Sequence, residues 1–378
     1  MHPTRLRRRP QGSRIRRWRL ALVFPVVCAC GDRSDHAGHS CSQSAADGNG
    51  SSAGPPSCAS EGPRDDHCGP APESCCTTLE VPGGTYFRNY YNNGSGPSQE
   101  TDPATVSNFR LDKYLVTVGR FRRFVEAWQC GWKPPPGSGK HVHLNAGRGL
   151  AIGGQVASYE PGWVPSNDNQ VAPTDANLSD PICNILGPST WAPAPAGQED
   201  LPINCVNWFE AYAFCIWDGG FLPSEAEWEY AAAGGSEERE YPWGSTDPGT
   251  ANQYAIFDCA YPTGVPKNPN GPCLAAPVGT ALSGTSRWGH LDMSGDVSVW
   301  LMDHQFWDQN DYPSYVDPCV DCTYLTAASH GTSTFGPLRS VRGAAFYTVI
   351  STLLPPEPGY AFSENREAEY GVRCARIP

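Results

Sequence analysis

Between Pro202 and Gly244 the chain reads PINCVNWFEAYAFCIWDGGFLPSEAEWEYAAAGGSEEREYPWG, and few folds accommodate such a run. Trp208, Phe209, Ala211, Tyr212, Phe214, Cys215 and Trp217 put bulky apolar groups on several faces of one short helix. A helix of that kind must be buried on more than one side. Gly219-Gly220 supplies its stop. A second helix starts at Ser224, an N-cap with Glu227 at the capping-box position, and ends at Gly234-Gly235. Tyr241-Pro242-Trp243-Gly244 then forms a rigid aromatic turn.

The surrounding chain sets bounds on this core. Its 378 residues carry a net charge of -12, with 16 Cys, 40 Gly and 37 Pro. The first 29 residues hold eight Arg and no acid, which leaves 19 basic against 39 acidic groups for the rest. A chain so acidic lacks the cations to neutralise phosphates, and nucleic acid is not an expected partner. The same 29 residues read as an export signal, with a basic stretch from Arg5 to Arg19 and a short apolar core from Leu20 to Val27. That core is too short to span a bilayer as a helix. Val27-Cys28-Ala29-Cys30 resembles a bacterial lipobox, with Cys30 as the acylated residue and an ordinary signal peptide as the other reading. The expected location is therefore the bacterial cell envelope, held to a membrane through a lipid anchor on its periplasmic or outer surface. Fourteen Cys beyond Cys30 agree with an oxidising compartment.

Residues 31–74 are rich in Gly, Ser, Pro and Asp and read as a tether. Cys58, Cys68, Cys75 and Cys76 lie towards its end, where disulfides are expected and a zinc site with His67 is the alternative. One large domain is expected over 75–378. Phe121, Phe124, Val125 and Trp128 recur at helical spacing, which predicts an amphipathic helix over 117–128. Residues 131–200 have little periodicity and read as a long structured insertion, and 245–378 suits short strands.

Several stretches together resemble the formylglycine-generating enzyme family, the sulfatase-modifying factor domain. They are the Pro202–Gly244 run, Val81-Pro82-Gly83-Gly84-Thr85-Tyr86, Phe109 to Thr117, Ala276-Pro277-Val278-Gly279, Arg342-Gly343 and Gly371-Val372-Arg373-Cys374. The resemblance covers about residues 79–378. It implies an α+β, loop-rich, disulfide-stapled fold related to C-type lectins. It also implies a disulfide between Cys215 and Cys374, and Cys183–Cys205 and Cys259–Cys273 are further pairings suggested by proximity in sequence.

The family's reaction oxidises a cysteine of a target sulfatase with oxygen and copper held by two cysteines. Soft thiolates are the ligands that select Cu(I). In this chain the two positions fall on Thr348 and Leu353, and neither a hydroxyl nor an isobutyl group replaces a thiolate. No catalytic residue is therefore assigned, and copper is not expected. The family's calcium loops correspond to Gly295–Trp300 and to the stretch from Ala251. Asn252, Asp258 and Asp296 are the candidate ligands, with Val299 in place of an acid and a simple hydrogen-bonded turn as the competing reading.

Cys319-Val320-Asp321-Cys322 has redox-motif spacing without a thioredoxin-like context, which favours a structural turn. His141 and His143 share a face if extended, and surface positions are expected for both.

The expected function is a binding or scaffold module for an extended peptide or glycan. Its groove is expected along 343–360 and part of 131–200, with Phe346, Tyr347 and Tyr360 as contacts or, equally, as core. The runner-up is an oxidoreductase of altered metal chemistry, for which His141, His143 and His290 are the candidates.

Overall fold

The computed structural model describes residues 54–58, 68–70, 73–153, 157–181, 183, 187–266, 273–305, 315–325 and 337–378. Cys30, the export signal, His67 and most of the 31–74 stretch lie outside them.

The strands are β1 (Thr78–Val81), β2 (Gly84–Tyr91), β3 (Ser98–Val106), β4 (Phe109–Asp112), β5 (Ala151–Ile152), β6 (Ser298–His304), β7 (Cys319–Val320), β8 (Cys322–Thr323), β9 (Leu338–Arg342), β10 (Gly359–Phe362), β11 (Tyr370–Gly371) and β12 (Ala375–Arg376). They form small sheets ordered β1-β4-β12, β10-β9-β6-β11, β2-β3-β7 and β5-β8. Four helices accompany them: α1 (Val118–Gln129), α2 (Asp175–Leu178), α3 (Trp208–Trp217) and α4 (Glu225–Ala233). The result is the α+β, loop-rich architecture expected from the sequence. Among the described residues no helix is long and apolar enough to cross a membrane.

The helices begin and end for local reasons. Thr117 accepts a hydrogen bond from the Arg120 N–H and caps α1. Asn207 with Glu210 and Ser224 with Glu227 make full capping boxes on α3 and α4. Gly234, in the left-handed region, closes α4. Every residue of α4 is buried, and so is all of α3 except Ile216. The amphipathic α1 packs on α3 through Phe121 and Phe124, whose rings lie 5.5 Å and 5.8 Å from that of Phe214. Each such aromatic pair adds roughly 0.5–1.5 kcal/mol beyond area burial.

Between α1 and α3 sits a buried ionic hub. Arg120 donates to Asp112 Oδ2 at 2.9 Å, Asp218 Oδ2 at 2.6 Å, Ser57 Oγ and the Cys75 carbonyl. Ser57 is itself buried, and its N–H donates to Asp218. The end of the expected tether is thus part of the folded head, because Arg120 needs more acceptors than the two aspartates supply. Disulfides Cys58–Cys76 and Cys68–Cys75 secure it.

Cys215–Cys374 joins α3 to the C-terminal segment across 159 residues. On the chain-entropy view such a loop is worth about 4–5 kcal/mol. Cys183–Cys205 and Cys259–Cys273 also form, and Cys319 pairs with Cys322 in the turn between β7 and β8.

Candidate functional site

The sheet β10-β9-β6-β11 builds the site. β9 runs antiparallel to both β10 and β6, and β11 pairs parallel with the start of β6. This brings the end of β9, the turn after it and the 357–360 segment around one pocket of about 170 Å³. Ser298, Arg342, Thr348, Glu357, Tyr360 and Glu369 are among its walls.

Arg342 is fixed from behind. Its guanidinium donates to Glu225 Oε1, to the Tyr315 hydroxyl at 2.9 Å and to the Pro356 carbonyl at 2.9 Å. Glu225 opens α4, so this pair ties the pocket floor to that helix. Gly343 follows at φ 101°, and a Cβ there would lie 3.0 Å from the Met293 carbonyl and 3.1 Å from the Trp228 ring. That contact explains the Arg-Gly pair at this bend. Glu229 also lies behind Arg342, at 3.6 Å. Burial pushes its carboxyl well above the usual range, and neither of its oxygens has a hydrogen-bond partner.

At Thr348 and Leu353, where the resemblance leads one to expect the thiols, neither side chain offers a free donor atom. The Thr348 hydroxyl donates to the Ala345 carbonyl at 2.9 Å and accepts from the Ala345 N–H at 3.1 Å. Leu353 is fully buried in a small cluster with Tyr241, Ala255, Phe257 and Ala344. Neither position offers an atom that holds Cu(I), so copper does not fit the residues present.

The aromatic groove candidates part company. Phe346 is buried in the main core and is not a groove contact, because the turn at Ala344–Ala345 directs it inward to pack beside Gly187. Tyr347 is half-buried and donates to Glu369. Tyr360 stands 47% exposed at the pocket lip. Among the described residues, the insertion 131–200 contributes no lining to this pocket. Its segment 138–163 is instead pinned elsewhere, by His141.

That histidine is fully buried, not on the surface. Its Nδ1 lies 2.9 Å from Glu160 Oε1 and its Nε2 3.0 Å from Glu227 Oε2. Burial alone would lower its pKa, but the two carboxylates outweigh that and raise it to about 10. His143 is half-buried and also packs on Phe221, its ring 6.3 Å from that of His141, with both ring nitrogens out of hydrogen-bond contact. His290 is buried against Ser286, and burial with the Arg373 charge lowers its pKa to about 3. His141 and His143 thus share the Phe221 ring, and His290 stands apart from them against Ser286.

Of the calcium candidates, Asp296 is buried in a left-handed turn at φ 69°. Its Oδ1 accepts from the Ala276 N–H at 2.9 Å while Oδ2 has no partner. Burial and then the neighbouring Asp292 hold its carboxyl well above the usual range. Asn252 has an unpartnered Oδ1, and Asp258 donates its N–H to the Thr348 carbonyl. Val299 is buried, so no oxygen stands at its position. Among the described residues no three His, Cys, Asp or Glu side chains converge as a metal cage. Asp292 and Asp296 are the buried acids at this turn, and two carboxylates fall short of the six to eight oxygens that calcium takes.

Sequence reading passed over Glu357, Glu369 and Ser298. No local motif marks them, and only the pairing of β10 and β11 with β9 and β6 brings them to Arg342.

Residues 65–378 match the family described as the sulfatase-modifying factor enzyme 1-like domain. The chain belongs to this family. It is similar to the formylglycine-generating enzyme of Streptomyces coelicolor, with 29% identity over 291 residues, 74% of this chain and 82% of that one. With the hercynine oxygenase of Mycolicibacterium smegmatis it shares 32% identity over 179 residues, 47% of this chain and 37% of that enzyme. The chain thus spans little more than a third of that relative's length. The inactive C-alpha-formylglycine-generating enzyme 2 of mouse is 27% identical over 238 residues, 59% of this chain and 67% of that protein. Arg342-Gly343 and the Cys215–Cys374 bridge are both present in this chain.

Proposed function

We propose that this protein is an exported, lipid-anchored binding module of the sulfatase-modifying factor family that has lost copper-dependent cysteine oxidation. Its pocket receives an extended peptide or glycan in the bacterial cell envelope. One observation carries the reading. At the two positions where the resemblance implies the oxidase's thiols stand a self-bonded Thr348 hydroxyl and a core-buried Leu353, while the pocket beside them is open between Ser298, Arg342 and Tyr360. A scaffold that kept its pocket and lost its metal ligands retains shape recognition without redox chemistry. A family relative in mouse is itself named inactive, so loss of activity has a precedent. The disulfides agree with an oxidising compartment, and the basic-then-apolar N-terminus ending at Cys30 agrees with export and acylation.

The test is an oxygen-electrode and mass-spectrometric assay with Cu(I) and a sulfatase-type cysteine peptide. No oxygen uptake and no 1:1 copper are expected. Stoichiometric copper or iron together with oxygen uptake overturns the reading. Globomycin-sensitive processing with labelling by palmitate checks the anchor at Cys30.

A further inference from the structure

Among the described residues six bridges take twelve of the sixteen cysteines. A thirteenth, Cys130, is also disulfide-bonded, and none of those twelve is available to it. Within the chain its partner is therefore Cys28, Cys30 or Cys41, which all precede the described residues. Cys130 caps the C-terminal end of α1 and is only half-buried. A Cβ built on the next residue, Gly131, would meet nothing within 4 Å, so the ground beside Cys130 is open to a segment arriving from outside. Chemistry separates the three partners. On the reading of Cys30 as the acylated residue, Cys28 leaves with the signal and the Cys30 sulfur is spent on the lipid. Cys41 remains, and pairing it leaves no stray thiol in the mature chain, as an oxidising compartment favours.

Geometry permits the pairing. Arg120, in the first turn of α1, holds Ser57 at 3.0 Å, and Cys130 lies ten residues further along the helix. At 1.5 Å per residue that is about 15 Å. The sixteen residues from Cys41 to Ser57 reach up to about 53–58 Å, and their Ser, Ala and Gly content imposes no stiffness. We propose that Cys130 is bridged to Cys41, a strap that hangs the folded head from the C-terminal end of α1 and shortens its leash to the Cys30 anchor. The proposal rests on the reading of Cys30 as that anchor. Without the strap the first residue held by the head is Ser57, at most about 90–97 Å of chain from Cys30; with it the first is Cys41, at most about 36–40 Å away. The strap therefore halves the height to which the head can rise and fixes which end of it leads toward the lipid. Forming the bridge takes one hydrogen from each thiol. The two electrons and two protons pass to a disulfide donor of the envelope, which leaves as a dithiol.

The experiment inserts a site for a sequence-specific serine protease between Gly50 and Ser51 of the full chain, purified with its anchor and placed in vesicles of phosphatidylethanolamine and phosphatidylglycerol. After cutting, the head should stay with the vesicles and leave only when a dithiol is added. With Cys41→Ser, or with Cys130→Ser, cutting alone should release it, and the surviving cysteine should become open to alkylation by iodoacetamide. Digestion of the uncut protein with trypsin and Asp-N without reductant should yield the peptide Asp35–Ala46 joined to Phe124–Lys140. Release of the wild-type head by cutting alone would overturn the strap, as would alkylation of Cys130 in the wild type or a Cys130-linked pair of chains on a non-reducing gel. Palmitate labelling separates the two claims. Label without the joined peptide sinks the strap and leaves the anchor, whereas the joined peptide without label sinks the anchor alone. Cys130 joined to Cys28 or Cys30 overturns both.

Discussion

His141 makes the sharpest thermodynamic claim on this fold. Its imidazolium donates from Nδ1 to Glu160 Oε1 and from Nε2 to Glu227 Oε2, fully out of water. Glu160 Oε1 also accepts from the backbone N–H groups of His141 and Leu150, and Glu227 Oε2 caps α4 through Ser224. The imidazolium therefore bolts the insertion to α4. A pKa raised from 6.5 to about 10 corresponds to about 4–5 kcal/mol at ~1.36 kcal/mol per pH unit. Two charge-assisted hydrogen bonds at roughly 1.5–3 kcal/mol each give the same order. The lowered pKa of Glu227 has the same interaction among its causes and is not added again. Because the folded pKa lies above the unfolded one, the contribution is complete below about pH 6.5 and is lost as pH rises through about 10. Urea unfolding of the wild type between pH 6 and pH 9.5 should lose stability at up to about 1.4 kcal/mol per pH unit over the upper part of that range, with a constant m-value. His141→Gln should be less stable by about 3–5 kcal/mol at pH 6.5, and the difference from wild type should shrink as pH rises. A difference that stays flat from pH 6.5 to pH 9.5 would refute a charged His141.

Two further substitutions probe the buried charges. Arg120→Met removes one partner of Asp112 and Asp218 and frees Ser57, so a loss of about 3–5 kcal/mol in unfolding free energy from urea titration and faster proteolysis near residues 54–58 are expected. Arg376 also donates to Asp112 Oδ1 at 3.3 Å and to Asp218 Oδ2 at 2.7 Å, and a loss under about 1 kcal/mol would show that it alone satisfies the two aspartates. Glu229→Gln should cost nothing at pH 7 and gain relative stability as pH climbs above about 4.5, since the wild-type carboxyl is held protonated by burial. Destabilisation by more than about 1 kcal/mol in thermal melts would mean that Glu229 is ionised and serves Arg342.

The legible and illegible parts of this molecule differ in the range of the interactions that made them. Caps, glycine stops and aromatic crowding act within a few residues, so α1, α3 and α4 could be read from Thr117 to Trp128 and from Pro202 to Gly235. The stations of charged groups could not. His141 sits 86 residues from Glu227, and Arg120 sits 98 residues from Asp218, so the pattern around each shows only an isolated polar residue. A lone histidine in a Gly-rich segment looks like surface until its two carboxylates are placed around it. The same limit hid the tether's end, where Ser57 became an acceptor in the Arg120 hub, and the pocket, where Glu357 and Glu369 line the same walls as Arg342.

Thr348 and Leu353 show the converse. Their significance was readable because a chemical requirement, not a packing partner, defined what had to stand there: a thiolate. The structure then adds what the letters could not, that the hydroxyl is turned back on Ala345 and the isobutyl group is sunk into the core. Restoring cysteine at both positions would therefore not restore a copper site by itself. Leu353→Cys leaves a cavity among Tyr241, Ala255 and Phe257 that costs roughly 2–3 kcal/mol. Its thiol would also remain buried until the Ile350–Leu353 turn rearranged. On the proposed reading, the absence of copper chemistry would rest on the packing of this turn as well as on two side chains.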